Sequence, residues 1–249
     1  MVKAAIIGCG KIAQVRHIPE YLEHRAVNLV GFYDLNEKRA EELAEKYGGK
    51  AYGSVEELLA DPQIDAVSIC TANHTHAELT IKALKAGKHV LCEKPMAITL
   101  EECQRMVECA EENHRKLLIG QNQRLTRTHQ IARKLIADGE IGNVLSFQTS
   151  FQHSGPESWS VDAGKNTWFF QKKAAAMGVM GDLGIHKTRD IITGRLSQPP
   201  EYPALRKRTS FSPDPLTRLR YGTRPFHQQF YSSLSYPPDY TYSLKIIYI

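Results

Sequence analysis

The sequence opens without a long apolar run, and it contains no paired-cysteine motif. The N-terminal segment VKAAII breaks off at Gly8, which leaves it too short for the core of a signal peptide or for a membrane span. No CxxC spacing occurs among the five cysteines, so neither a disulfide framework nor a zinc site is indicated. We therefore expect a cytoplasmic protein with reduced thiols, no metal centre and no membrane partner.

A surplus of one charge sign is also missing from most of the chain. The formal net charge is +5, but residues 195–249 contain 8 Lys and Arg against 3 Asp and Glu, and the preceding residues contain 24 of each group. Proteins that bind nucleic acids concentrate basic residues on a folded face. The balanced charge before residue 195 therefore argues against a nucleic-acid partner.

Apolar runs alternate with segments of helical period over the first half of the chain. The strand-like runs are VKAAIIG, VNLVGFYD, AVSICT, HVLCEKP and KLLIGQN, and the helices predicted between them cover 11–24, 36–47, 75–86 and 99–113. Such alternation is typical of an α/β protein in which helices cover both faces of a parallel sheet. The pattern predicts a doubly wound parallel sheet within residues 1–122.

The pattern changes after residue 122. A helix is predicted over 127–138, and the following NVLSFQTSFQ alternates as a strand does when one of its faces is exposed. We assign 123–194 to the start of a second, α+β domain. Residues 195–249 form an atypical tail rich in Pro, Ser, Tyr and Arg, and because proline interrupts helices and central strands, we do not expect this tail to complete that domain.

A glycine-rich turn follows the first predicted strand. The sequence IIGCGKIA gives Gly8-x-Gly10-x-x-Ala13 at the start of a helix, and Asp34 ends the next strand. The glycines allow a tight turn and the close approach of a pyrophosphate, which the helix N-terminus attracts. A carboxylate at Asp34 accepts hydrogen bonds from the ribose hydroxyls of NAD and repels the 2′-phosphate of NADP. We therefore predict a site for NAD, with NADP disfavoured, rather than a purely structural turn; its residues are Gly8, Gly10, Lys11, Ile12 and Asp34.

Two further motifs carry a resemblance to a known family. They are the EKP of residues 93–95 within TANHTHAELTIKALKAGKHVLCEKPMAIT, and the D-x-G-x-H of Asp182, Gly184 and His186. With GCGKIA, in this order, they resemble the Gfo/Idh/MocA oxidoreductases over about residues 1–188. The resemblance implies an NAD(P)-binding Rossmann domain followed by an open-faced, mostly antiparallel sheet, incomplete here, that receives the substrate. It also implies a homo-oligomer and a substrate that is a small sugar or polyol.

The resemblance implies that Lys94, Asp182 and His186 are the catalytic residues. Lys94 follows a predicted parallel strand, at the edge where open α/β sheets bind ligands, and the Lys94–Pro95 bond is a candidate for the cis form. His186 would accept the hydroxyl proton, Lys94 would polarise the developing oxyanion, and Asp182 would orient the sugar and keep its neighbours charged. Four-residue spacing predicts that Asp182 and His186 share one face of a helix. Taken alone, they also fit a capping aspartate and a packed histidine.

Other residues are assigned to the cofactor through the resemblance. Thr71, Asn73 and His76 are expected along the nicotinamide, and Glu93 in the floor of the site. Arg39 is expected beside the adenine, and Arg124 after the last strand of the Rossmann sheet. By contrast, we interpret His17 as a packed helix histidine. His74 and His76 lack a third ligand for a metal.

Two alternatives from other classes stay open beside an NAD-dependent sugar or cyclitol dehydrogenase. One is a non-catalytic regulator that senses NAD(P) on the same fold, against which the presence of Lys94, Asp182 and His186 argues, since a sensor needs no proton acceptor. The other is a glycoside hydrolase that uses NAD transiently, and it would form no net NADH.

The sequence departs from the family pattern after His186. The pattern D-x-G-x-H-x-x-D requires an aspartate at position 189, but Arg189 stands there and Asp190 follows. Two interpretations are open: a shifted reading frame near codon 188, or a natural tail that has diverged. On the first, we expect a chain that binds NAD but shows little or no dehydrogenase activity on any polyol and has low solubility.

Overall fold

The computed structural model describes residues 1–142, 144–153, 155–162, 164–187 and 240–248. The strands are β1 (Val2–Ile7), β2 (Val27–Tyr33), β3 (Lys50–Ala51), β4 (Ala66–Ile69), β5 (His89–Cys92), β6 (Leu117–Ile119), β7 (Val144–His153) and β8 (Tyr240–Tyr248). The α-helices are α1 (Ile18–Glu23), α2 (Glu37–Tyr47), α3 (Val55–Ala60), α4 (His76–Lys85), α5 (Leu100–Glu112), α6 (Arg127–Ala137), α7 (Pro156–Trp159) and α8 (Lys172–Ala175). A π-helical turn, Ala13–His17, leads directly into α1.

The first six strands form one parallel sheet. Their order is β3-β2-β1-β4-β5-β6, and every neighbouring pair runs parallel. This is the strand order of the Rossmann fold, whose ligand crevice lies where the order reverses, beside β1 and β4. The predicted doubly wound sheet is confirmed. The sequence did not predict β3, because a strand of two residues carries no readable alternation, and the short helix α3 was not predicted either.

Helices cover the sheet because each packs its apolar face against apolar side chains of the strands. One cluster of buried side chains contains Val67, Ile69, Leu84 and Met106, and a second contains Ile6, Ile18, Phe32 and Leu43. Full burial of an aliphatic or aromatic side chain of this size contributes about 1.5–3 kcal/mol. Local signals fix where the helices begin, since Thr99 and Glu102 form a reciprocal cap at α5.

Backbone hydrogen bonds extend the sheet into the loops at its carboxyl edge. Gly8 N donates to Tyr33 O at 2.8 Å, and Cys70 N donates to Ile7 O at 2.8 Å. The series continues where Glu93 N donates to Ile69 O at 2.9 Å. The sheet itself therefore holds the loops that follow β1, β4 and β5. This fixes the backbone from which the loop side chains extend.

The described chain divides into two compact units. The first contains Met1–Gln123 together with Gln152–His186, and the second contains Arg124–Phe151, Lys187 and β8. The sequence groups 123–194 as the start of one second domain, whereas 152–186 pack with the Rossmann sheet. They do so because side chains of the sheet's loops bond to this returning segment.

In the second unit, β7 and β8 pair in a two-stranded sheet. The strand predicted at NVLSFQTSFQ is confirmed as β7. The tail contributes a strand over 240–248, where YTYSLKIIY lacks proline and is rich in aromatic and β-branched residues. Arg189, Asp190 and the remaining positions of 188–239 lie outside the described residues.

Candidate active site

The turn after β1 has the geometry that a dinucleotide needs. Gly8 has a φ of +93°, and a Cβ there would come within 2.8 Å of the Cys70 carbonyl and of Thr71 Cγ2. A Cβ at Gly10 would instead meet no atom within 4 Å. Gly8 is thus required by packing and backbone conformation, while the space over Gly10 is open beside the start of a helix, an end that attracts anions.

Asp34 holds this turn from the end of β2. Its Oδ2 accepts a hydrogen bond from Cys9 N at 2.7 Å, and its Oδ1 accepts one from Asn36 N at 2.8 Å. Burial and the neighbouring Asp34 raise the pKa of Cys9 to about 12. The Cys9 thiol is therefore neutral and adds no negative charge where phosphates would bind. Both oxygens of Asp34 retain lone pairs that can accept from ribose hydroxyls.

Arg39 lies beside Asp34 on the first turn of α2. Its Nη1 is 3.3 Å from Asp34 Oδ1, and its Nη2 contacts Asp162 Oδ1 from the returning segment. Lys11 is half-buried, and Ile12 packs against the apolar cluster around Ile18 and Phe32. The cofactor roles of Lys11 and Ile12 stay predictions.

The loop after β4 is fixed by buried polar side chains. Thr71 Oγ1 is 2.7 Å from Thr75 Oγ1, and the Asn73 side-chain amide donates to Ala175 O at 3.0 Å. The fully buried His76 ring lies between two carbonyls, with Nδ1 2.7 Å from Pro95 O and Nε2 3.1 Å from Thr71 O. Burial lowers the pKa of His76.

His76 has no exposed surface, and its ring joins the two loops that carry Thr71 and Pro95. Its assigned place along the nicotinamide stays a prediction. Asn73 is likewise buried, and it holds the returning segment against the loop after β4. Thr71 is half-exposed and remains placed to meet a ligand.

Glu93 is the centre of a buried polar network. Its Oε1 is 2.8 Å from His17 Nε2, and its Oε2 accepts from the backbone N of Lys94 at 3.1 Å. His17 Nδ1 is 3.2 Å from Ser68 Oγ, which also contacts the Tyr21 hydroxyl. Burial acts to raise the pKa of Glu93, but His17 and Lys94 outweigh it and hold this pKa below its ordinary value. The network orients the backbone that carries Lys94.

Lys94 and Asp182, both assigned as catalytic through the resemblance, contact each other directly. Lys94 Nζ donates to Asp182 Oδ1 at 2.6 Å and to Asp182 O at 2.9 Å. An ammonium group has three hydrogens to donate, so these two bonds leave capacity for one more. The Lys94–Pro95 peptide bond is cis. Asp182 lies on a π-helical turn, Met180–Gly184, rather than on the α-helix that its spacing predicts, and such turns are frequent at functional sites.

His186 lies in the short helical stretch 185–187 that follows the turn Met180–Gly184, and it is buried, with 7% of its surface exposed. It belongs to the same compact unit as Lys94 and Asp182. Arg124 is exposed on the turn Asn122–Leu125 and belongs to the second unit. The roles assigned to His186 and Arg124 stay predictions.

Two contributors to the site were missed from the sequence. His17 is packed, as expected, but its ring pairs with Glu93 and does not merely fill space. A polar residue on the inner face of a helix was a signal that could have prompted a search for its partner. Asp162 gave no comparable signal, since its contact with Arg39 spans 123 positions.

Among the described residues, no helix is both long and apolar enough to cross a bilayer. Within those same ranges, no group of three or more His, Cys, Asp or Glu side chains is placed to hold a metal ion.

Comparison with known proteins agrees with this geometry. Residues 2–121 match the model of an oxidoreductase family with an NAD-binding Rossmann fold, and 129–194 match the model of the GFO/IDH/MocA C-terminal domain. Glucose-6-phosphate 3-dehydrogenase of Bacillus subtilis is 36% identical over 187 residues, covering 75% of this chain and 51% of that protein. The chain spans about half the length of the curated relatives it matches.

Solved structures share the fold. GenD2 from gentamicin A biosynthesis, in complex with NAD, has a TM-score of 0.71 and 27% identity, covering 78% of this chain and 53% of its own. KijD10, a 3-ketoreductase from Actinomadura kijaniata in complex with NADP and TDP-benzene, has a TM-score of 0.68 and 26% identity, covering 76% and 55%. The glycine turn, the Lys94–Asp182 pair and these matches together show that the chain belongs to the GFO/IDH/MocA family of NAD(P)-binding oxidoreductases.

Proposed function

We propose that this protein is an NAD-dependent oxidoreductase that acts on a secondary hydroxyl of a sugar or cyclitol. The observation that carries the proposal is the contact between Lys94 and Asp182 at the carboxyl edge of a Rossmann sheet. A cofactor-binding fold alone fits many functions. A mostly buried lysine beside a carboxylate at that edge is suited to bind a hydroxyl group and to stabilise negative charge on its oxygen.

Bound NAD would supply the acceptor for the hydride that leaves the carbinol carbon. The protein must then remove the hydroxyl proton and stabilise negative charge on the oxygen. Lys94 retains capacity for one hydrogen bond to that oxygen, and Asp182 fixes the direction of the ammonium group. His186 is the proposed proton acceptor, a task for which imidazole is suited near neutral pH.

Cofactor binding is assigned to the carboxyl ends of β1, β2, β4 and β5. Gly8 and Gly10 would admit the pyrophosphate, and Asp34 would accept from the ribose diol. Thr71 would lie near the nicotinamide, with Glu93 beneath it as the group that orients Lys94. The choice of NAD over NADP is part of the proposal, since GenD2 was solved with NAD and KijD10 with NADP.

The substrate class rests on the relatives and on the polar character of the site. The name of the Bacillus subtilis relative states that it oxidises a glucose phosphate at position 3. A site with an ammonium, a carboxylate and an imidazole can hydrogen-bond several adjacent hydroxyls, which is what a sugar or cyclitol presents.

The test has two stages on the same protein. NADH binding is measured first by nicotinamide fluorescence. The chain is then given NAD with a panel of aldohexoses, hexose phosphates and inositols, and NADH formation is followed by absorbance. We expect saturable NADH binding and NADH formation with at least one polyol, lost in a Lys94→Met variant that still binds NADH.

NADH binding without NADH formation on any member of the panel would contradict the proposed reaction and favour a cofactor-sensing regulator. Release of a sugar from a glycoside without net NADH would favour the hydrolase alternative. Absence of NADH binding would contradict the proposal at its first step.

A further inference from the structure

Arg39 lies between two carboxylates rather than one. Its Nη1 is 3.3 Å from Asp34 Oδ1, and its Nη2 contacts Asp162 Oδ1. The Arg39 side chain is 17% exposed, against 10% for Asp34 and 52% for Asp162. The guanidinium is therefore mostly enclosed, and the more accessible of its two partners is Asp162.

The position of Arg39 is fixed by backbone structure. Asn36 caps α2, and its side chain accepts a hydrogen bond from the backbone N of Arg39 at 3.3 Å. Asp34 is fixed in turn, because Cys9 N and Asn36 N donate to its two oxygens. Asp162 comes from the returning segment after α7, within the same compact unit.

The net charge of Asp34, Arg39 and Asp162 affects which of the two cofactors, NAD or NADP, can bind. One guanidinium between two carboxylates leaves one negative charge in excess. A ribose diol is neutral and donates hydrogen bonds to a carboxylate, whereas the 2′-phosphate of NADP needs a cation. Arg39 is the guanidinium in contact with Asp34, and so the group placed to meet such a phosphate.

Neighbouring residues do not supply an obvious substitute. Leu35, which follows Asp34, is exposed but carries no charge. Lys38 lies one position before Arg39 and pairs with Glu42 at 3.8 Å on the outer face of α2. The affinity for a 2′-phosphate should therefore depend on how strongly Asp34 and Asp162 hold the Arg39 guanidinium.

We propose that Asp162 is a specificity-determining residue for the cofactor: by engaging Arg39, it keeps the guanidinium from a 2′-phosphate and favours NAD over NADP. This inference rests on the proposed function, which places the adenosine ribose at Asp34. It adds a determinant from outside the glycine-rich fingerprint, 123 positions from Arg39 in sequence.

The experiment measures NADH and NADPH affinities of the full chain by nicotinamide fluorescence, a signal that both cofactors share. Asp162→Asn keeps the shape of the side chain and removes its charge. We expect it to tighten NADPH binding about threefold to fivefold, the upper range for an exposed ion pair, and to change NADH binding by less than about twofold. Raising the salt concentration should shrink the effect.

A matched control separates this contact from charge in general. Glu157→Gln removes one negative charge from α7, on the same returning segment, and should leave the ratio of the two affinities unchanged. In an Arg39→Ala background, Asp162→Asn should no longer improve NADPH binding, because the residue through which it acts is missing. Asp162→Glu should keep the preference for NADH.

Each result decides the inference. An unchanged NADPH-to-NADH ratio in Asp162→Asn, or an equal change in Glu157→Gln, would overturn the role of Asp162 while NADH binding upheld the proposed function. Persistence of the gain in the Arg39→Ala background would also overturn it. Failure of the unmodified chain to bind either cofactor would overturn the proposed function and this inference together.

Discussion

Lys94 and Asp182 are 88 positions apart, and Nζ of the lysine lies 2.6 Å from Oδ1 of the aspartate. Both side chains are mostly buried, with 16% and 22% of their surface exposed. The contact joins the carboxyl end of β5 to the turn Met180–Gly184 within one compact unit. The fold itself therefore assembles the charged pair.

Removing either partner should destabilise the fold, since it leaves the other charge mostly buried and without its ion pair. We expect Lys94→Met and Asp182→Asn each to lower the free energy of unfolding, and the double variant to lower it by less than the sum. The coupling should be about 1–3 kcal/mol. Urea unfolding of the four proteins measures it. Strict additivity would show that the pair contributes nothing to stability.

His186 should matter for catalysis more than for cofactor binding. If it accepts the hydroxyl proton, His186→Gln should lower turnover by about 10²-fold or more, while the NADH dissociation constant changes little. Steady-state rates and fluorescence titration on one preparation test both parts. Turnover close to that of the unmodified chain would assign the proton acceptor to another residue, with Lys94 the first to test.

Asp34 has a structural task as well as a place in the cofactor site. Asp34→Ser removes the carboxylate that accepts from Cys9 N, so both cofactors should bind less tightly. NADH should lose more, because its ribose diol loses an acceptor while a 2′-phosphate loses a repelling charge. Paired titrations with NADH and NADPH measure the gap between them. Tighter binding of NADPH than NADH by the unmodified chain would contradict the assigned preference.

Glu93 should make stability depend on pH. Its pKa in the folded protein is held below the ordinary value of 4.5 despite burial, through His17 and Lys94. The unfolded chain therefore binds the proton more tightly, and the stability from ionised Glu93 is complete above that ordinary value and is lost as the pH falls through the lower, folded value.

Urea unfolding between about pH 7 and pH 3 tests this expectation. The difference in unfolding free energy between the unmodified chain and Glu93→Gln should shrink toward the acid end. Glu112→Gln, at an exposed position on α5, serves as the control and should show a small difference throughout. A constant difference for Glu93→Gln would contradict the role of its charge.

The thiol of Cys9 should resist alkylation. Burial, and then the charge of Asp34, raise its pKa to about 12, so little thiolate forms at about pH 8. Burial also raises the pKa of Cys103, but that side chain is partly exposed. Iodoacetamide should modify Cys103 before Cys9, as measured by peptide mass spectrometry. Equal rates would show that the turn after β1 opens readily.

The Rossmann sheet could be predicted because its signals are local. Five strands appear in the sequence as apolar runs, and the helices between them appear as segments of helical period. Gly8 and Asp34 directly follow the first two strands. β3 could not be predicted, since its two residues become a strand only by pairing with β2. β8 was not predicted, because its short proline-free segment follows Pro237 and Pro238 at the end of a proline-rich tail.

The site was predictable where a motif carried it. Lys94 and Asp182 were assigned through the family resemblance, and the fold brings them together. His17 and Asp162 depend on partners 76 and 123 positions away, and nothing near them in sequence specifies those partners. His76 was assigned to the cofactor by its motif position, and its burial between two carbonyls could not be predicted from that position.

The most direct test of the proposed reaction is the fate of the hydrogen on the carbinol carbon. The chain is incubated with NAD and inositol carrying deuterium on every ring carbon, or with a similarly labelled hexose where that is the better substrate, and the NADH is isolated for mass spectrometry. We predict that the NADH carries deuterium at the nicotinamide and that Lys94→Met forms none. NADH without deuterium, or no NADH at all from a chain that binds it, would contradict hydride transfer from a secondary alcohol.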